Sequence, residues 1–358
     1  MSARDPIADL RRIAFLLERA NEATYRVRAF RSAATALAAL PAREVAERAR
    51  TGKLTELSGV GDVTARCVAE SLAGEEPVYL RRLVATEGTD LDAAATALRT
   101  ALRGDCHTHS DWSDGGSPIE EMALAAVELG HEYLVLTDHS PRLKVARGLT
   151  ADRLRRQLDH VAKVNEALPE GFRILTGIEV DILADGSLDQ DEKLLARLDV
   201  VVGSVHSGLN DERTKMTRRM LAAIANPHLD ILGHCTGRMV SSRPAGVKGP
   251  GDRAHRPRTR SESDFDADAV FAACAERGVA VEINSRPERQ DPPKRLIRRA
   301  LEAGCDFAIN TDAHAPGQLD WQRFGCERAA LCGVPADRVV NTWDADRLVD
   351  WAREHAAR

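Results

Sequence analysis

Histidines and acids recur at the ends of short apolar runs in the last two thirds of the chain. Cys106-His107-Thr108-His109 closes one run, Thr137-Asp138-His139 a second, and Gly177-Ile178-Glu179 sits in a third. Ser204-Val205-His206, Gly233-His234 and Thr311-Asp312-Ala313-His314 close three more, and Asp114 follows the first in Ser113-Asp114-Gly115. These stretches supply nine candidate ligands: His107, His109, Asp114, His139, Glu179, His206, His234, Asp312 and His314. Imidazole mixed with carboxylate suits zinc, manganese or iron, whereas magnesium and calcium favour oxygen donors alone. Nine donors exceed the needs of one ion, so a cluster of two or three ions about 3.5–4 Å apart is the economical reading. Such a cluster clamps a phosphoryl group and generates hydroxide at neutral pH, which makes phosphate-ester hydrolysis the expected chemistry. A Ser or Cys nucleophile fits less well. The chain has no GxSxG elbow, and Cys106 and Cys235 stand beside ligands on the opposite strand face. A histidine outside the pattern is more often a hydrogen-bonded core or surface residue, and His131, His160, His228, His255 and His355 are read that way.

The elements that must gather these side chains follow from the apolar pattern. Seven β-branched runs stand out: Asp105 to Ser110, Tyr133 to Ser140, Arg173 to Ile182, Val200 to His206, Ile231 to Thr236, Val279 to Ser285 and Phe307 to His314. Amphipathic helices separate them, one announced by Ser117-Pro118-Ile119-Glu120, where Ser caps, Pro sits in the first turn and Glu completes a capping box. Alternating β and α units predict a parallel sheet, and their repetition favours an α/β barrel of about seven strands over a doubly wound open sheet. In a barrel the C-terminal strand ends converge on one mouth, where all six ligand-bearing ends would meet. Residues two apart on a strand share a face, so His107 with His109, and Asp312 with His314, would each point at one centre.

Up to about Leu102 the texture is helical instead. Apolar residues recur at three and four spacing in Ile7, Leu10, Ala14, Leu17 and again in Val27, Phe30, Ala34, Leu37. A small all-α domain over 1–90, a linker helix over 91–103 and the barrel over 104–358 are therefore expected. The 358 residues are 43% hydrophobic and 29% charged, enough apolar content to bury a core and too much for a disordered chain. No run is long and apolar enough to cross a bilayer and the N-terminus lacks a signal-peptide core, so a soluble cytoplasmic protein is expected, without membrane partners. Seven scattered cysteines, with no CxxC pair, read as reduced thiols. The net charge of −5 demands no nucleic-acid partner. It does conceal a slightly basic first hundred residues and an arginine-rich stretch from Arg238 to Glu262. The wider segment 238–265 is rich in Pro, Gly, Ser and Arg and is read as a mobile loop after the fifth strand; it would either grip a phosphodiester backbone or be a plain surface insertion.

Together these motifs resemble the polymerase and histidinol phosphatase (PHP) family. The series His107-Thr-His109-Ser, Asp114, Thr137-Asp138-His139-Ser140, Gly177-Ile178-Glu179-Val180-Asp181-Ile182-Leu183, Ser204-Val205-His206, Gly233-His234 and Asp312-Ala313-His314 carries the likeness. It is strongest to the PHP domain of bacterial family X DNA polymerases. The resemblance implies a distorted (β/α)7 TIM-like barrel holding three divalent transition-metal ions (Zn, Mn or Fe). It assigns His107, His109, Glu179 and Asp312 to one ion, Glu179, His206 and His234 to a second, and Asp114, His139 and His314 to a third. Glu179, Asp312, His206 and Arg289 would be catalytic, with water activated at the Glu179-linked pair attacking phosphorus in line. Arg289, after the sixth strand, resembles a family position near the phosphate; Arg243 and Lys248 are weaker candidates of the same kind.

Residues 54–72 hold Leu57-Ser58-Gly59-Val60-Gly61 between two helices, a turn whose backbone N–H groups can face an anion. It resembles a helix-hairpin-helix, and Tyr25-Arg26-Val27-Arg28-Ala29-Phe30-Arg31 resembles the N-terminal domain of family X polymerases, which grips gapped DNA ends. Gly59, Val60, Gly61, Arg26, Arg28 and Arg31 are the implied DNA contacts. Only about twenty residues separate the two modules where the family's polymerase core would stand, so polymerisation is not expected. Val63 and Cys67 occupy positions where lyase-competent relatives place lysines, which argues against Schiff-base chemistry and tight 5'-phosphate binding. Two functions remain open: a 3'-5' exonuclease or 3'-phosphatase acting on gapped or single-stranded DNA ends, and a small-phosphomonoester phosphatase of the histidinol-phosphate type. A non-enzymatic repair scaffold with a structural metal cluster is a poor third.

Overall fold

The structure is a computed structural model that describes residues 4–85, 91–240 and 259–356. Arg243, Lys248, His255 and most of the arginine-rich stretch lie outside the described residues. The chain divides into two compact units, Met1–Asp90 with Pro316–Gln318, and Leu91–Ala315 with Leu319–Arg358.

The first unit is helical: α1 Pro6–Arg19, α2 Thr24–Ala38, α3 Ala42–Arg50, α4 Asp62–Leu72 and α5 Val78–Val84. Helix α1 starts where Asp5 accepts from the Ile7 amide and Pro6 sets the first turn. Leu10, Ile13, Ala14 and Leu17 of α1 and Phe30, Ala34 and Leu37 of α2 are buried, the three-and-four spacing in each helix forming one apolar stripe. Buried polar groups are paired. Arg4 forks onto Asp9, which also accepts from Ser71 Oγ at 2.7 Å.

The second unit opens with α6 Ala93–Ala101 and then alternates strands and helices. The strands are β1 Gly104–Thr108, β2 Tyr133–Leu136, β3 Arg173–Asp181, β4 Val200–Ser204, β5 Ile231–Leu232, β6 Ala280–Asn284 and β7 Phe307–Asn310. The helices are α7 Ile119–Glu128, α8 Ala151–Asn165, α9 Glu192–Leu195, α10 Arg213–Ile224, α11 Ala267–Arg277, α12 Lys294–Glu302, α13 Gln322–Leu331 and α14 Ala345–Ala356. All seven strands pair in parallel in chain order, β1 through β7. The ring closes between its ends: Thr108 bridges Ala313, and the His109 amide donates to Ala313 O at 2.8 Å. Asp105 reinforces the seam, accepting from the Thr311 hydroxyl at 2.6 Å and the Thr311 amide at 3.1 Å. This is a nearly closed barrel with helices outside, as the alternation predicts, and the open-sheet alternative falls.

Two local expectations need correcting. Helix α7 has no capping box: Pro118 is its N-cap residue with no side-chain cap bond, and the Ser117 carbonyl accepts from the Asp111 amide at 2.9 Å. Ser117 thus belongs to the loop that carries Asp114. The seventh run also stops being a strand at Asn310, and Asp312 adopts φ +54°, so Asp312 and His314 do not share a strand face. A left-handed aspartate is tolerated at a cost of order 1 kcal/mol, and such strain is concentrated at functional sites.

His131, read as an ordinary core histidine, is buried, and desolvation followed by the nearby Arg99 charge pushes its pKa down to about 3. Between roughly pH 6.5 and 3 the unfolded chain binds a proton that the folded chain refuses, so this group makes stability fall on acidification by about 1.4 kcal/mol per pH unit. His131→Gln is expected to lose about 2 kcal/mol less unfolding free energy than the parent between pH 7 and pH 5. Urea melts at the two pH values check this, and parallel losses in both proteins would refute it.

Candidate metal centre

The seven parallel strands end at one mouth, and six of them, with the loop after β1, bring the nine candidate ligands together there; β6 contributes none of the nine. They form four overlapping groups whose donor atoms lie within 4.8 Å of one another: His109 with Asp114, His139 and His314; His107 with His109 and Asp312; His107 with Glu179 and His234; and His139 with Glu179 and His206. Glu179 joins two of these groups, as do His107, His109 and His139. Glu179 is fully buried, and its two oxygens face different histidines. Oε1 lies 2.8 Å from His234 Nε2 and 3.3 Å from His206 Nε2. Oε2 lies 2.8 Å from His139 Nδ1, 3.4 Å from His107 Nε2 and 3.6 Å from His109 Nε2. On the outer side Asp114 Oδ1 stands 3.3 Å from His314 Nε2 and 3.5 Å from His139 Nε2. His139 therefore touches two groups, one with each ring nitrogen, whereas the resemblance gives it to one ion only.

The donor set fits divalent ions on three counts. First, several of these atoms are buried and make no hydrogen bond: His107 Nε2, both ring nitrogens of His109, and His206 Nε2. Orphaned buried nitrogens are costly, and so many around one carboxylate need a common acceptor of lone pairs. Secondly, separations of 3.3–3.6 Å such as those of His206, His107 and His109 from Glu179 are too long for good hydrogen bonds. They match the edge of a tetrahedron around an ion bound at about 2.1 Å, which is about 3.4 Å. Thirdly, the outer nitrogens fix the tautomers. His107 Nδ1 donates to Glu282 Oε1 at 2.7 Å and His206 Nδ1 to Asp181 Oδ1 at 3.0 Å. Carboxylates and carbonyls only accept, so in each ring Nε2 keeps its lone pair toward the cluster.

Charges agree with this. Burial would raise Glu179, but His139, His107 and His206 outweigh it and hold its carboxyl well below the usual range. Asp312 is likewise held well below, burial being overcome by Arg289 and Arg286. Burial, with the positive fields of His314 and His139, holds His109 neutral far below its ordinary value. His107 goes the other way: burial lowers it, yet Glu282 and Glu179 raise it well above normal. Those two carboxylates call for a positive centre between them, and a cation serves as well as a proton.

Two cations border the cluster. Arg289, singled out from the sequence, donates from Nε to Asp312 Oδ2 at 2.9 Å. Arg286, which sequence reasoning passed over, reaches Asp312 O at 3.2 Å and stands 3.5 Å from Asp312 Oδ1. Glu282 was missed too. Its Oε2 accepts from the His234 amide at 2.7 Å and its Oε1 takes Asn310 Nδ2 at 3.0 Å besides His107, so one buried carboxylate holds two ligands. A lone acid inside the apolar run Ala280–Asn284, on the one strand without a terminal histidine, was the available signal.

In the helical unit Gly59 has φ +88°, and a Cβ there would lie 3.2 Å from Ser32 Cβ, so the turn needs glycine for both its dihedral and its closeness to α2. The Val60 amide donates to Leu57 O and the Gly61 amide to Thr64 Oγ1. Those two amides are spent within the turn, and the anion-facing donors of a helix start here are the first-turn amides of α4. Of the three arginines, Arg31 forks onto Glu18 at 2.9 and 3.1 Å and Arg26 bonds Glu22 and Tyr79 at 2.8 and 2.6 Å. Arg28 is exposed. No helix among the described residues is long and apolar enough to cross a membrane.

Comparison with known proteins adds two family matches, two relatives and one solved structure. The PHP domain family matches residues 105–286 and a helix-hairpin-helix domain family matches residues 1–76. The DNA polymerase/3'-5' exonuclease PolX of Bacillus subtilis is 38% identical over 240 residues, covering 67% of this chain and 39% of that protein, so the chain spans about two fifths of that relative's length. A probable phosphatase of Thermoanaerobacter sp. is 28% identical over 261 residues, 70% of this chain and 94% of that one. Among solved structures, the histidinol phosphate phosphatase of Lactococcus lactis, complexed with zinc, L-histidinol and phosphate, superposes with a TM-score of 0.46 at 15% identity over 65% of this chain and 94% of its own.

Proposed function

Since the chain belongs to the PHP family of metal-dependent phosphoester hydrolases, we propose that its substrate is a DNA 3' end, opened by 3'-5' exonuclease or 3'-phosphatase action. The observation that carries this reading is the presence, in one chain, of a nine-residue metal-ligand cluster and a helix-hairpin-helix unit. The similarity to a protein named for 3'-5' exonuclease activity supports it. His107, His109, Glu179 and Asp312 would hold one ion, Glu179, His206 and His234 a second, and Asp114, His139 and His314 a third, zinc, manganese or iron being suited to the donors. Bound there, divalent ions supply Lewis-acid stabilisation of phosphoryl charge and acidify water to near neutral pH.

The chain's own groups do the rest. Arg289 and Arg286, already leaning on Asp312, offer guanidinium donors to the non-bridging oxygens of a phosphate, where planar forks give bidentate contacts. Glu179 and Asp312 stay ionised in a buried site and keep the cluster anionic. Glu282 and Asp181 hold His107 and His206 in the tautomer that turns Nε2 inward. A second reading, a small-phosphomonoester phosphatase, is favoured by the probable phosphatase matched along 94% of its length. A panel of 3'-labelled single strands, 3'-phosphorylated ends and small phosphomonoesters, each assayed with manganese, separates the two. Shortening or dephosphorylation of the DNA is the expected result, and turnover of the monoesters alone would overturn it.

A further inference from the structure

Between β2 and α8 the chain leaves the ligand cluster at His139 and comes back to the same residue. The Ser140 amide donates to Glu179 O at 3.0 Å and the Leu149 amide donates to His139 O at 2.7 Å, so both ends of the loop are tied to candidate ligands. Its two legs touch. A Cβ on Gly148 would fall 1.8 Å from Ser140 O, a clash with backbone that only glycine avoids. The Gly148 amide reaches Leu143 O at 3.2 Å, and Arg153 from α8 donates to the carbonyls of Arg147 and Gly148. The nearby acid Asp189 is turned onto Ser140 Oγ and the Arg142 amide.

This frame is built from backbone bonds and from the side chains of Arg153 and Asp189, and it leaves four side chains of the loop outside. Arg142, Lys144, Val145 and Arg147 are exposed, Val145 at 91%. Arg147 makes one contact through its guanidinium, to Asp111 O at 3.1 Å. From Ser140 to Thr150 the sequence has three cations and no acid. An almost wholly exposed valine gains nothing in the folded monomer, since polar residues serve as well at a turn tip. Cations around an apolar tip, fixed in place beside a phosphoryl-binding mouth, match a single-stranded nucleic acid, whose charged backbone runs alongside apolar base faces.

We infer that the loop Ser140–Leu149 is a nucleic-acid subsite: Arg142, Lys144 and Arg147 neutralise phosphates of the strand flanking the cleaved bond, and Val145 lies against a base. The inference rests on the DNA-end reading above. Its test uses the full chain loaded with manganese, a fluorescent single-stranded oligonucleotide with phosphorothioate linkages for binding, and a small aryl phosphate for chemistry. Arg142→Ala with Lys144→Ala is expected to weaken oligonucleotide binding about tenfold at 0.1 M salt and to flatten the slope of log K against log salt by about 1.4, the value for two phosphate contacts on a single strand. Val145→Ser should weaken binding by a smaller factor without changing that slope. Aryl phosphate turnover should stay within twofold in both variants, which also reports that they fold. Parent-like affinity and slope in the double variant would overturn the subsite while leaving the DNA reading intact. A parent protein that turns over aryl phosphate but neither binds nor cleaves the oligonucleotide would overturn both.

Discussion

Glu179→Gln is expected to lower phosphoester turnover by about a thousandfold or more, the scale on which loss of a central electrostatic group acts. The substitution is nearly isosteric and tests charge rather than volume. In the parent, Oε1 faces His206 and His234 while Oε2 faces His107, His109 and His139, with the closest approaches at 2.8 Å. An amide replaces one anionic oxygen with an NH2 group that points donor hydrogens at whatever occupies the space between those rings. Any ion held there would lose an anionic ligand, and the imidazoles lose the carboxylate that balances them. Elemental analysis after dialysis should show fewer ions per chain, while circular dichroism should be unchanged. Activity within tenfold of the parent, with full metal content, would remove Glu179 from the centre of the chemistry.

The second large effect is expected at Glu282, which touches no substrate. Glu282→Ala should weaken metal affinity by 10- to 100-fold in chelator competition, the range found when outer partners of metal-bound histidines are removed. Its carboxylate holds His107 through Nδ1 at 2.7 Å and His234 through the backbone amide at 2.7 Å, and it also takes Asn310 Nδ2 at 3.0 Å and Asn284 Nδ2 at 3.2 Å. Removing it frees the His107 ring to turn or change tautomer and strands three donors in a fully buried site. A stability loss of about 3 kcal/mol or more follows, because buried networks are costly to break from one side. Glu282→Gln keeps the volume but accepts on one side only, so it should fall between parent and Ala in affinity. Unaltered metal affinity in both variants would show that the ligands are held by packing alone.

The barrel and the gathering of the nine candidate residues were legible because each depends on short-range pattern. Strand-terminal histidines are visible wherever a β-branched run ends in His, and parallel order brings such ends to one mouth. What escaped depends on three-dimensional pairing. Arg31, a candidate DNA contact, also forks onto Glu18, thirteen positions earlier on a neighbouring helix, a partnership that no local spacing announces. Arg26 is tied to Tyr79 in the same way. Glu282 sits where an inward position of a strand normally carries an apolar residue, and only the opposite rings of His107 and the His234 amide make sense of its charge. Strand alternation predicts a shared face for Asp312 and His314, but Asp312 lies past the end of β7 with φ +54°, and its Oδ1 stands 3.4 Å from His109 Nε2. The Gly59 turn was recognisable as a glycine hairpin, but which of its amides remain available is decided by Thr64 and Leu57.

The seam that joins Thr108 to Ala313 has a consequence for how the protein comes into being. Asp105 and Thr311 meet across 206 positions of sequence, and Asp312 and His314 lie just beyond. On the ribosome, His107 and His109 therefore emerge long before the partners that complete their surroundings. Loop closure over such a span is slow, and a nascent chain cut short anywhere before this seam would expose unsatisfied imidazoles and an unpaired strand edge, a form prone to aggregation and to scavenging the wrong ion. Completion of the candidate ligand cluster should thus be among the last events of maturation, after translation has passed the seventh strand.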